Sequence, residues 1–191
     1  TLDGWRAGED IAVDARGVLH LGVRMGALLQ VADVGESPTV WRWIGGRPLG
    51  MHFDNEGNLL VAVESLGLMS MPPEGATEVL VAKAEREHTL FLDDLDVTSA
   101  NVVYVSEASL RFRYEAWELD ILESQPNGRL IRYDPASERA EVVLGDLFFA
   151  NGVAIDPLEQ FVLVVETSRY RVRRLWIAGP RAGEDEVWID N

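Results

Sequence analysis

The sequence predicts an all-β chain, a β-propeller of about four blade-like units with a short helix inserted in the third. Three observations carry that prediction. Four six-residue stretches share one register: Glu9-Asp-Ile-Ala-Val-Asp14, Leu49-Gly-Met-His-Phe-Asp54, Asp93-Asp-Leu-Asp-Val-Thr98 and Asn151-Gly-Val-Ala-Ile-Asp156. Each is followed by a turn-like gap and a second apolar run, over 18–23, 59–63, 102–105 and 161–165. The register recurs at spacings of 40, 44 and 58 residues. Periods of roughly 40–50 residues with several strands per unit are the signature of propeller blades.

The first unit, about 5–45, reads as strands over 10–13, 18–23, 27–31 and 39–43. The gap Asp14-Ala-Arg-Gly17 supplies hairpin chemistry, because Asp bonds its own backbone two residues on and Gly accepts positive φ. The second unit, about 46–90, repeats that turn as Asp54-Asn-Glu-Gly57 and adds strands at 67–71 and 78–81. In the third unit, about 91–147, the stretch 111–125 breaks the strand pattern and places Tyr114, Trp117 and Ile121 at helical spacing. Strands resume at 128–133, turn at Asp134-Pro-Ala-Ser137 and close at 140–144. The fourth unit, about 148–191, ends with strands at 172–177 and 186–189 around the break Gly179-Pro180.

Composition narrows the partners. Of 191 residues 47% are hydrophobic, enough for a sizeable core. With 17 basic against 32 acidic residues the formal charge is −15, which opposes nucleic acid and anionic membrane surfaces and suits a small neutral or cationic molecule. No apolar run approaches the ~20 residues of a membrane helix. The chain begins at Thr1 without a basic, apolar leader, although a leader already removed would leave the same start. The absence of cysteine leans towards a reducing, cytoplasmic setting and leaves no thiolate nucleophile.

Four segments carry a family resemblance: Gly46-Arg-Pro-Leu-Gly-Met51, Pro126-Asn-Gly-Arg-Leu-Ile-Arg-Tyr-Asp134, Phe149-Ala-Asn-Gly-Val-Ala154 and Glu166-Thr-Ser-Arg-Tyr-Arg-Val-Arg-Arg-Leu-Trp176. In order and spacing they resemble the strictosidine synthase-like family. That family belongs with gluconolactonases, paraoxonases and diisopropyl fluorophosphatases in a calcium-dependent superfamily of six-bladed propellers. The resemblance implies a calcium ion held by a first-blade glutamate and by Asn or Asp at the starts of later inner strands. Glu9, in Ala7-Gly-Glu, matches the glutamate, and Asn151 matches the asparagine of a Phe-Pro-Asn-Gly pattern. Asp93 stands where the pattern reads Phe-Ala-Asn-Asp, so Asn has become Asp and the site gains a charge. Hard oxygen ligands suit calcium. In relatives the inserted helix lies near the channel mouth, which makes Trp117, Tyr114 and Phe112 candidates to cover a substrate.

Bland readings stand beside these. Turn chemistry alone explains Asn-Gly and Asp-Asp, and edge packing explains Trp117. Leu49, in the same column, is no ligand, and it occupies the place where paraoxonases carry a catalytic histidine. His52 reads as packed or hydrogen-bonded rather than as a base, and His20 and His88 as structural or solvated. The run Arg169-Tyr-Arg-Val-Arg-Arg174 puts Arg171 and Arg173 on one face, with solvent as their default surroundings. There is no Gly-x-Ser-x-Gly elbow, His-Glu-x-x-His pair, phosphate loop or dinucleotide fingerprint, and no catalytic residue can be assigned.

Length departs from the family, whose propellers need roughly 300 residues, against about four units of ~45 here. The chain reads as a fragment, as a truncation completed by a second copy, or as a smaller closed ring; a complete chain with open edges should self-associate. Three functions follow. The first is a calcium-dependent lactone or ester hydrolase using Glu9, Asp93 and Asn151. The second is a non-catalytic propeller serving binding or assembly, and the last is an amine–aldehyde condensing synthase.

Overall fold

The computed structural model describes Trp5, residues 8–33 and residues 35–191. Ala7 of the first-unit motif lies outside the described residues. The first sheet contains β1 (Ile11–Val13), β2 (Leu19–Val23), β3 (Ala27–Val31) and β4 (Thr39–Trp43), and the second β5 (Pro48–Phe53), β6 (Leu59–Val63), β7 (Gly67–Met71) and β8 (Glu78–Val81). A two-stranded hairpin, β9 (Lys83–Ala84) with β10 (Glu87–His88), leads to the third sheet: β11 (Phe91–Val97), β12 (Val103–Ser109), β13 (Gly128–Asp134) and β14 (Arg139–Leu147). The fourth holds β15 (Ala150–Ile155), β16 (Phe161–Glu166), β17 (Arg171–Trp176) and β18 (Asp185–Ile189). Every four-stranded sheet is an antiparallel meander in chain order. Their first strands pack side by side, β1 on β5, β5 on β11 and β11 on β15, as the inner strands of successive propeller blades.

The core lies between blades, and this accounts for the unbroken apolar runs of the second strands. Along β6, Leu59, Val61 and Val63 pack with Met51 and Met71 of their own blade and with Ala12 and Leu28 of the first. Leu60 and Ala62 face the other way, onto Leu92, Leu95 and Val105 of the third blade. Side chains alternate across a strand, so a strand buried on both faces needs apolar residues at every position.

The hairpins after the inner strands share one construction. Asp14 accepts hydrogen bonds from the N–H groups of Arg16 and Val18 (both 2.9 Å), and Asp54 from those of Glu56 and Asn58 (2.9 and 2.8 Å). The fourth turn position takes positive φ, +86° at Gly17 and +84° at Gly57, where glycine carries no Cβ penalty. Asn101 and Glu159 hold the same place in blades three and four, at φ 61° and 53°.

The predicted insertion is a 3-10 turn (Tyr114–Ala116) running into helix α1 (Trp117–Glu123). Seven residues are too few for a helix to be stable alone. Tyr114 and Ile121 pack onto a buried cluster of Leu49, Phe91, Ala108 and Phe149. Fully buried Asp120 accepts hydrogen bonds from Ser109 Oγ at 2.5 Å and Asn127 Nδ2 at 3.1 Å, which ties the helix to β12.

Candidate metal centre

Three of the four column residues, Leu49, Asp93 and Asn151, stand in strand irregularities, while Glu9 lies just ahead of the regular β1. In β5, three steps from Pro48 to Met51 oppose two from Val63 to Val61; β11 does the same between Leu92 and Leu95, and β15 between Ala150 and Val153. The bulged residues are therefore Leu49-Gly50, Asp93-Asp94 and Asn151-Gly152. A bulge re-aims side chains, so consecutive residues escape strict alternation and take separate tasks.

The residue after each column position joins blades. Asp10 Oδ2 accepts the backbone N–H of Met51 at 2.7 Å, and Asp94 Oδ2 that of Val153 at 2.8 Å. Two residues on, Asp96 Oδ2 accepts the N–H of Ile155 at 2.7 Å. Gly50 and Gly152 occupy the recipient places, and a Cβ on Gly50 would lie 2.5 Å from Asp94 Cα. None of these aspartates was singled out from the sequence. The signal was present as an Asp, Gly, Asp, Gly alternation at positions 10, 50, 94 and 152.

Asp93 and Asn151, the first residues of their pairs, form the candidate site together with Glu9, which lies just ahead of β1. Asp93 is 7% exposed, and no hydrogen bond reaches its carboxylate among the described residues. Burial, then the charges of Glu9 and Asp94, push its carboxyl up to about 7, against the opposing effect of Arg47. Glu9, half exposed, is paired with Arg47 at 2.9 Å. Asn151, partly buried, holds the equivalent place on β15, the strand that packs beside β11. Leu49 is buried in the apolar cluster with Phe91 and Phe149. Among the described residues no three His, Asp or Glu side chains gather around one point; the expected set is instead two carboxylates and an amide. Its chemistry fits a hard divalent cation: a buried carboxylate without a donor, crowded by a second carboxylate, is relieved by positive charge.

Arg47 is the residue the sequence reading missed, although it lies within the quoted segment Gly46–Met51. Its guanidinium carbon sits 3.6 Å from the Tyr114 ring centroid, a cation–π contact, while it also pairs with Glu9. Tyr114 meets Phe91 edge-on at 5.8 Å, Phe91 meets Phe149 at 5.7 Å, and Phe149 meets Trp117 at 6.4 Å. Tyr114 and Trp117 thus belong to one aromatic chain beside the column. Phe112 does not join it, and lies instead beside the Arg111 guanidinium at 5.3 Å.

The other expectations resolve individually. His52 is exposed, with Nδ1 2.8 Å from the Phe53 carbonyl and Nε2 3.5 Å from Asp96. His88 is exposed and His20 is buried. Arg171 and Arg173 are not a solvated pair: Arg171 Nε donates to fully buried Glu166 at 2.5 Å, and Arg173 pairs with Asp185. A carboxylate buried at the end of β16 draws both guanidinium groups inward. The third blade repeats this with Glu107 and Arg129, cross-strand partners at 2.7 Å.

Residues 93–180 match the family model for strictosidine synthase. A strictosidine synthase-like 10 protein of Arabidopsis thaliana is 40% identical over 148 residues, covering 76% of this chain and 40% of that one. The chain spans less than half the length of this curated relative. Among solved structures, a gluconolactonase from Xanthomonas campestris superposes with a TM-score of 0.75 at 15% identity, covering 96% of this chain and 62% of the other. The calcium-binding protein regucalcin from Agrobacterium tumefaciens gives 0.70 at 18% identity, covering 96% and 59%. At such identities the structures establish the propeller fold. The resemblance read from the sequence is borne out, and the chain is a strictosidine synthase-like propeller.

Proposed function

We propose that this propeller belongs to a calcium-dependent hydrolase of the lactonase or esterase type, acting on a small neutral or cationic molecule. The observation that carries the reading is Asp93, a buried carboxylate that accepts no hydrogen bond among the described residues, at the bulge of β11 and close enough to Glu9, just ahead of β1, to feel its charge. Glu9, Asp93 and Asn151 would hold the ion, in keeping with gluconolactonase and calcium-binding regucalcin among the structural neighbours. Bound there, calcium would supply a Lewis acid to polarise a carbonyl and acidify water. The protein's own contribution is to exclude solvent and orient. Tyr114, Trp117, Phe91 and Phe149 form an apolar wall, and Arg47, stacked on Tyr114, partly neutralises Glu9.

The test is calorimetric titration of metal-stripped protein with calcium, using Asn151→Ala as control, followed by turnover assays on lactone and aryl-ester panels. Binding that the variant loses, with calcium-dependent turnover, supports the reading; a folded protein that binds no calcium overturns it. A second reading, a non-catalytic binding or assembly module, is favoured by Leu49. At that column place the chain sets a buried apolar side chain rather than a ligand or base. Calcium binding with stable self-association and no turnover would select it. Condensation of an amine with an aldehyde rests on the family name alone, since no acid or base for it can be assigned among these residues.

A further inference from the structure

The candidate metal centre already contains one positive charge, that of Arg47. Its Nη2 donates to Glu9 Oε2 at 2.9 Å, and its charge is felt at Asp93 as well. Among the described residues Glu9 is the one carboxylate within 4 Å of this guanidinium. The Arg47 side chain is 13% exposed, and Nε, shut off from solvent, has no hydrogen-bond partner. The pair with Glu9 therefore satisfies a mostly buried cation that has little else to bond.

Neighbouring contacts fix where the guanidinium can go. The Arg47 carbonyl accepts the Glu64 N–H at 3.0 Å, and a Cβ on the preceding Gly46 would lie 2.7 Å from Val63 Cγ1, so the backbone is seated tightly against the end of β6. Beyond Glu9, the side chain's other contact is the face of Tyr114, 3.6 Å from the guanidinium carbon. That ring is anchored independently. Phe91 meets it edge-on, and the adjacent Arg113 donates to Ser65 Oγ at 2.7 Å, which in turn donates to Glu64 Oε1 at 2.6 Å. Tyr114 thus offers the guanidinium a place that does not depend on Glu9.

Glu9 cannot serve two cations fully. A divalent ion ligated by Glu9 and Asp93 deprives Arg47 of its carboxylate and sets like charge beside a guanidinium that is poorly exposed to water.

We propose that Arg47 is a resident competitor for the column cation: it neutralises Glu9 in the metal-free protein, is displaced from it when calcium enters, and stays stacked on Tyr114. This rests on the reading of Glu9, Asp93 and Asn151 as the calcium ligands. The cost of displacement lowers calcium affinity below what the two carboxylates alone would give, and occupancy of the column is registered at the aromatic insert.

The test is calorimetric titration of the metal-stripped chain with calcium, for wild type, Arg47→Met and Arg47→Lys. Arg47→Met keeps an apolar stem without the charge and should bind calcium roughly three- to tenfold more tightly. Arg47→Lys keeps a cation without the planar fork and should fall between the two. A merely structural role for Arg47 gives the opposite sign, weaker binding as the contact with Tyr114 is lost. In wild type carrying ¹⁵N-labelled arginine, the Nε–H signal that is absent from both variants should shift saturably with the calcium dependence of the heat. Calcium binding by wild type that Arg47→Met leaves equal or weaker, or an Arg47 signal that ignores saturating calcium, would overturn this proposal alone. Absence of binding in all three folded proteins would overturn the metal reading of the column and the proposal with it.

Discussion

The carboxylate of Asp94 accepts the backbone N–H of Val153 across the boundary between the third and fourth blades, at 2.8 Å. Because β11 and β15 belong to different sheets, no ladder bond can satisfy that donor, and the side chain substitutes for one. Asp94→Ala strands a buried N–H and should cost about 1–3 kcal/mol. Asp94→Asn keeps an oxygen acceptor and should cost less. Urea denaturation of both variants checks this, and equal losses would show that the carboxylate contributes charge rather than a hydrogen bond.

Gly50 makes the reciprocal case. Its missing side chain admits Asp94, whose Cα and Oδ1 would lie 2.5 and 2.6 Å from an added Cβ, with the Asp93 carbonyl oxygen at 2.8 Å. The backbone around Asp94 cannot swing aside as a flexible side chain would. Gly50→Ala should therefore destabilise by about 1–3 kcal/mol through overpacking, and should weaken any cation bound at Asp93. Gly57→Ala would meet no atom within 4 Å, and its loss should come from the positive φ alone. Comparing the two separates steric from conformational cost.

In the third blade, fully buried Glu107 accepts the Leu90 N–H at 2.5 Å and the Arg129 Nε–H at 2.7 Å. Glu107→Ala leaves the Arg129 guanidinium, itself 4% exposed, without its buried partner. The expected loss is about 3–5 kcal/mol. Pairing the change with Arg129→Met should recover part of it, because the uncompensated charge leaves with the arginine. A double-mutant cycle by thermal melting tests this; additive losses would mean that the two residues act independently.

Strands and turns were legible because their causes are local. The run Leu59-Leu-Val-Ala-Val63 is apolar throughout since both its faces are buried, and Asp14 and Asp54 mark their turns by bonding their own backbone. The candidate column was legible as a register. Its bulges were not, for they are defined only against the partner strand, as Asp93 and Asp94 are against the step from Glu107 to Val105. Nor could sequence show that Arg47 reaches Glu9, 38 positions away, or that Arg171 and Arg173 turn inward to Glu166. The hairpin of β9 and β10 was missed because two-residue polar strands leave no period to read. The buried glutamates 107 and 166 could have been found, since each is a carboxylate just past an apolar run, 102–105 and 161–165, within a strand otherwise built for the core.

Asp93 makes stability depend on pH in the sense opposite to a salt-bridged carboxylate. Burial first, then Glu9 and Asp94, raise its pKa from an ordinary 3.8 to about 7, so the folded protein keeps a proton that the unfolded chain gives up. Below about pH 4 both states are protonated and the group costs nothing. As pH climbs from there towards 7 the unfolded state is increasingly favoured, and above 7 the penalty is complete. In metal-stripped protein, Asp93→Asn should therefore match wild type near pH 4.5 and exceed it near pH 7.5, in urea midpoints measured at both values. Added calcium at pH 7.5 should stabilise wild type more than the variant, in which the amide keeps an oxygen ligand but not the charge. A wild-type minus variant difference that stays level across this range would show that Asp93 is ionised in the folded protein at every pH tested, and the charge crowding inferred at the column would be wrong.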